Sequence, residues 1–175
     1  MLMNDSMKIA AIIRDAGGEI VGRTRLQKVT YLLTVTGLED RFSFAYKHYG
    51  PFSESVATAA RDGHLLRNLT ETVKATAWGG TYSVYQVTDA LDDGASDQAP
   101  PGRRALASAA AAASAVELEL AATAVFLHFD GAGDPWAETA RRKPEKAQGG
   151  RLERAKNLLV QLRQIATPVR LPEFN

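Results

Sequence analysis

The chain has no cysteine, which excludes disulfides, thiolate nucleophiles and cysteine-ligated zinc from its chemistry. Histidine is scarce too. His48, His64 and His128 are the three present, and none has a second ligand three to five positions further on. His64 follows Asp62 by two residues and His128 precedes Asp130 by two, which is poor spacing for a metal. No serine sits in a G-x-S-x-G elbow, and no glycine-rich phosphate loop follows a strand pattern. Glu117 and Glu119 are two apart, so on a helix they diverge and cannot share a site. Taken together, these gaps lead to the expectation of a non-enzymatic protein with no cofactor and no metal.

Long apolar runs are missing as well. The longest weakly polar stretch, residues 106–129, carries Glu117 and Glu119 near its middle, where charge is costly in lipid. It reads as a packed helix. Asp5, Lys8, Arg14 and Asp15 interrupt the N-terminal segment, so it does not resemble a signal peptide. A cytoplasmic protein with no membrane association is expected.

What is present suits an ordinary globular protein, with 45% hydrophobic and 23% charged residues over 175 positions. That length fits one large domain or a small one with an appendage. The spacing predicts a first helix over 5–16, capped by Asp5 or Ser6, with Ile9, Ile12 and Ile13 on one stripe and Gly17-Gly18 as its stop. A second helix starts at Thr24, where Thr24 and Gln27 have the T-x-x-Q spacing of a capping box. Leu26, Val29, Leu32 and Leu33 face a core, and Gly37 closes the helix. Phe42, Phe44 and Tyr46 alternate with polar or small residues as a half-buried strand does. Gly50-Pro51 ends it, Ser53 caps a short helix through Asp62, and Gly63 closes that one. Val73, Ala75 and Ala77, then Tyr82, Val84 and Val87, flank Gly79-Gly80 as a hairpin with a two-residue turn.

Helix, helix, strand, helix, hairpin is the order of a winged-helix variant. Residues 92–102 read as a linker loop. Beyond it lie an alanine-rich helix from about Arg103, extending as far as Phe129, a short helix after Asp134-Pro135, and a last helix over 150–166. The expected fold class is mainly α with a small β-sheet (α+β). Residues 1–91 form a winged-helix-like core with a β-hairpin, and residues 103–175 a C-terminal helical bundle packed on it as one unit.

Net charge is only +1 but unevenly placed. Basic residues gather at the start of the second helix (Arg23, Arg25, Lys28) and in RRKPEKAQGGR (Arg141, Arg142, Lys143, Lys146, Arg151). These eight are the candidate anion or nucleic-acid contacts. The plain alternative is that the first group pairs with Glu19, Glu39 or Asp40, and that the second is a mobile basic loop between helices. The helix before the hairpin, SESVATAARD, offers only Arg61 against Glu54 and Asp62, too few donors to read base edges. Trp78, beside the Gly-Gly turn, is the candidate partner contact, either exposed as an anchor or folded back on the hairpin. Trp136 reads as a core anchor.

Residues 22–53 also resemble a known family. The helix start GRTRLQK, the aromatic strand and the YGPFS turn resemble the YwgA-like proteins and, more distantly, the SocA-like Panacea domain of bacterial antitoxins. Trp136 and Lys143-Pro144 fit the YwgA-like pattern loosely, whereas the C-terminal half departs from the Panacea one. The resemblance implies a prokaryotic protein with a winged-helix-like core. Panacea relatives act as antitoxins or adaptors through protein contacts. Leu26, Gln27, Lys28, Tyr49, Gly50 and Pro51 carry across as a structural signature. The function expected is a protein-interaction module, antitoxin-like or a defence-associated adaptor or regulator, with a homo-oligomer open. The alternative is a winged-helix transcriptional regulator that binds nucleic acid through the basic patches.

Overall fold

A computed structural model of the chain describes residues 3–89 and 99–175. Most of the linker expected at 92–102 lies outside the described residues. Among those described are seven helices and five strands, an α+β fold dominated by helix. No helix is long and apolar enough to cross a membrane.

Helix α1, Asp5–Asp15, is capped by Asn4, one residue earlier than expected, whose side chain accepts from the Met7 amide at 2.9 Å. Ile9, Ile12 and Ile13 are fully buried along it. Strand β1, Glu19–Val21, has no counterpart in the sequence reading. Three residues are too few to show an alternation, and a partner alone defines the strand. It pairs antiparallel with a later strand through Ile20 and Tyr85.

Helix α2, Arg23–Val35, starts without a side-chain cap, because Gly22 occupies the N-cap at φ 98°. The capping box expected from Thr24 and Gln27 is therefore not formed. Gln27 lies too far inside the helix to reach the N-cap amide and is used elsewhere. Strand β2 is only Ala45–Lys47, shorter than its aromatic pattern suggested, and pairs with β3, Gly50–Phe52. Phe42 and Phe44 serve the core instead of a ladder, Phe44 meeting Tyr31 edge-on at 5.2 Å.

Helix α3, Glu54–Leu65, begins at the expected Ser53 cap but runs through Gly63. A Cβ at Gly63 would lie 2.7 Å from Leu69 Cδ2, so this glycine allows close packing and is not a stop. Strands β4, Leu69–Ala75, and β5, Thr81–Val87, form the hairpin. The turn spans residues 76–80, longer than the two-residue type expected. The Thr76 amide donates to the Gly80 carbonyl, and the Gly80 amide donates to Thr76 Oγ1, both at 2.8 Å. Sheet order β1-β5-β4, with three helices against one face, is the winged-helix arrangement, and β4-β5 is the wing.

The alanine-rich segment is two helices, not one. α4, Arg103–Ala112, and α5, Ala115–Phe129, are separated by Ala113, whose backbone is extended at ψ 158°. The carbonyl released at that break accepts from Arg25 Nη2 at 2.9 Å. α6, Pro135–Arg142, has the expected Asp134 cap, and α7, Arg151–Arg163, completes the chain's helices. Helix α2 packs against both α4 and α5, and a single buried cluster draws on α1 to α3 as well as α4, α5 and α7. Trp136 is buried against Phe174, as expected of a core anchor. Arg103 fastens the two halves from inside: its Nε donates to Asp15 at 2.6 Å and Nη1 to the Leu38 carbonyl, with Glu39 at 3.5 Å.

Candidate functional site

The surface between α2, α3 and the wing concentrates the features worth weighing, and the signature residues build its base. Gln27 Nε2 donates to the Ser53 carbonyl while its Oε1 accepts from the Ser53 amide, each at 2.9 Å. The side chain thus pairs with the backbone as a neighbouring strand would. One residue on, Lys28 Nζ donates to the Pro51 carbonyl at 2.8 Å. Together they fasten the YGPFS turn to α2. Gly50 has φ 90°, and a Cβ there would run into Thr123 Oγ1, so the turn also needs glycine against α5.

Behind that turn lies a buried carboxylate among cations. Glu119 accepts from Lys143 at 2.8 Å and from Lys146 with both oxygens at 2.8 Å, and Lys143 also donates to the His48 carbonyl at 3.0 Å. Burial pushes the Lys28 amine down to about 7; Glu119 opposes that fall, while Lys143 and Lys146 add to it. Glu117 instead meets Arg154. The two glutamates face different partners, as their spacing requires.

Each of the eight cations singled out in the sequence has a partner within the protein. Lys28, Lys143 and Lys146 come together at the turn. Arg23 pairs with Glu71 at 3.2 Å, and Arg25 donates to the carbonyls of Val21 and Ala113. Glu19, Glu39 and Asp40 are therefore not the counter-charges of that helix start; Glu19 accepts from Gln86, and Glu39 meets Lys8 and Arg103. Arg141 and Arg142 both grip Glu138, at 2.6 and 2.7 Å, away from the wing. Arg151 donates to the carbonyls of Lys146 and Glu145, which ties the basic loop down. The histidines stay apart: His64 Nδ1 accepts from the Glu71 amide, His128 stacks on Phe174, and His48 lends only its carbonyl.

Between α2, α3 and the wing lies a cavity of about 450 Å³. Its floor is Leu26, Val56 and Ala60, all buried, with Phe52 and Ala57 beside them. Glu71 closes the wing side, accepting from Arg23, Ser83 and Tyr85. Burial works to raise the Glu71 carboxyl, but the bonds from Ser83 and Arg23 prevail and leave it below its ordinary value. Beyond the cavity the wing turns apolar outward. Trp78 at the tip is 88% exposed, Val73 58% and Tyr82 38%.

Glu71, Tyr85 and Arg61 were not singled out as site residues. The β4 pattern did hold a signal, because Glu71 shares the parity of Val73 and Ala75 and hence one face of the strand. Nothing local marks Arg61 or Glu119, whose surroundings come from distant segments. No family model matches the chain, and no curated protein matches it either.

Proposed function

We propose that this protein works by binding a protein partner through its wing, as an adaptor or antitoxin-like regulator in a prokaryotic cytoplasm, and that it catalyses no reaction. The observation that carries this reading is Trp78, held at the tip of the wing with nearly all of its surface in solvent. Exposed aromatic side chains on a rigid hairpin make strong interface anchors, since their burial on binding is large and costs little rotamer freedom. Val73 and Tyr82 add exposed apolar surface on opposite faces of the wing. The resemblance of residues 22–53 to YwgA-like proteins, with Panacea antitoxins further off, supports the same reading. The test is a pair of baits, wild type and Trp78→Ser, exposed to native lysate at high salt. Retention of one polypeptide by the wild type alone supports the proposal. Equal retention by both baits, or none, counts against it.

The winged-helix topology favours a second reading, binding of duplex nucleic acid. Against it, the exposed face of α3 presents Glu54, Ser55, Thr58, Arg61 and Asp62, so its charge is net negative. The eight basic side chains of the α2 start and of residues 141–151 are engaged with internal acceptors. Titration of labelled duplex DNA over a salt series separates the two, because phosphate binding weakens steeply as salt rises.

A further inference from the structure

We infer that the cavity between α2, α3 and the wing is a binding site for a small organic carboxylate with an aryl or branched-alkyl body. The inference does not depend on Trp78 or on any protein partner. At about 450 Å³ the cavity falls within the size range of small-ligand sites, and its floor of Leu26, Val56, Ala60 and Phe52 suits an apolar body. The charges on its wall decide the head group. Glu71 is the one carboxylate among the described residues that line the cavity. Its charge is already paired with Arg23 while Ser83 and Tyr85 donate to the same oxygen, so a cationic ligand would have to compete with that ion pair. Lys28 holds its amine on the Pro51 carbonyl. Arg61 differs from all the cations discussed above. It lines the cavity from the exposed side of α3 and has no hydrogen-bond or ion-pair partner among the described residues. One unengaged guanidinium above an apolar floor matches a planar two-oxygen anion, which it can hold with two parallel N–H donors.

The experiment is an amide-resolved NMR titration of the full chain with phenylbutyrate, phenylbutanol and phenylbutylamine at fixed ionic strength. The acid should shift the Val56, Ala57 and Ala60 amides saturably and bind about tenfold tighter than the alcohol or the amine. Arg61→Gln should remove that advantage while leaving amides away from the cavity unshifted, since no internal bond is lost. Ala57→Trp, filling the cavity from a half-buried position, should abolish binding of all three. Equal affinity for the three probes would overturn the inference. So would shifts that map elsewhere, no shift at millimolar probe, or an Arg61→Gln variant that still prefers the acid. If Ala57→Trp fails to fold, the Arg61→Gln comparison decides alone.

Discussion

Removing the Gln27 side chain should destabilise the protein well beyond what its polarity suggests. Gln27 is buried and satisfies both backbone groups of Ser53, which is itself buried and is also the N-cap of α3. In Gln27→Ala the Ser53 amide loses its partner away from water, while the Ser53 carbonyl gives up one of two donors and keeps the Ala57 amide at 3.3 Å. At about 1–3 kcal/mol for the orphaned amide and about 0.5–1.5 kcal/mol for the bond lost from the carbonyl, the loss should be about 1.5–4.5 kcal/mol. Urea unfolding followed by circular dichroism measures it directly. Gln27→Glu refines the test, because protonated Glu is nearly isosteric with Gln and can still donate to the Ser53 carbonyl. Burial raises the folded pKa of such a carboxyl above its unfolded value near 4.3. The variant should therefore lie closest to wild type below that pH and fall behind as pH rises through the folded pKa. A loss under about 1 kcal/mol for Gln27→Ala, or a pH-independent deficit for Gln27→Glu, would refute the latch.

Three further outcomes follow from the same packing. Lys28 has a folded pKa of about 7 against an ordinary 10.5, so the unfolded chain binds the extra proton between those values. Stability should rise with pH across that window, and Lys28→Met should flatten the rise when unfolding is compared at pH 7 and pH 10. Gly50→Ala should destabilise measurably through both its positive φ and the Thr123 contact. Thr123→Ala in the same chain should recover part of that loss, whereas strict additivity in the double-mutant cycle would contradict a shared cause. Leu32→Ala, at a fully buried position on α2, should cost about 2–5 kcal/mol, and no change in unfolding midpoint would place the core face of α2 elsewhere.

Helices with a clear apolar stripe or a polar cap were legible in the sequence, as α1, α6 and α7 show. The wing was legible from its alternation and glycines. What escaped was decided by tertiary partners. β1 exists because β5 offers it an edge, whereas the break at Ala113 did carry a local signal that the run of alanines masked, Ser114 three residues before Glu117 at the start of α5. Gln27 has the spacing of a capping box yet answers to Ser53, 26 residues away. The basic residues showed why charge alone is ambiguous: Lys143 reads as a surface cation in sequence, but Glu119 and the His48 carbonyl hold it inside. Trp78 was the reverse case, with both exposure and burial open until the turn geometry set it outward.

Hydrogen exchange on this protein, alone and with the polypeptide that it captures, tests the central claim most directly. If the wing is the working surface, added protection should concentrate in residues 72–83 around Trp78 and leave α6 and the basic loop unchanged. Protection confined to residues 141–151, with the wing exchanging as in the free protein, would contradict the account.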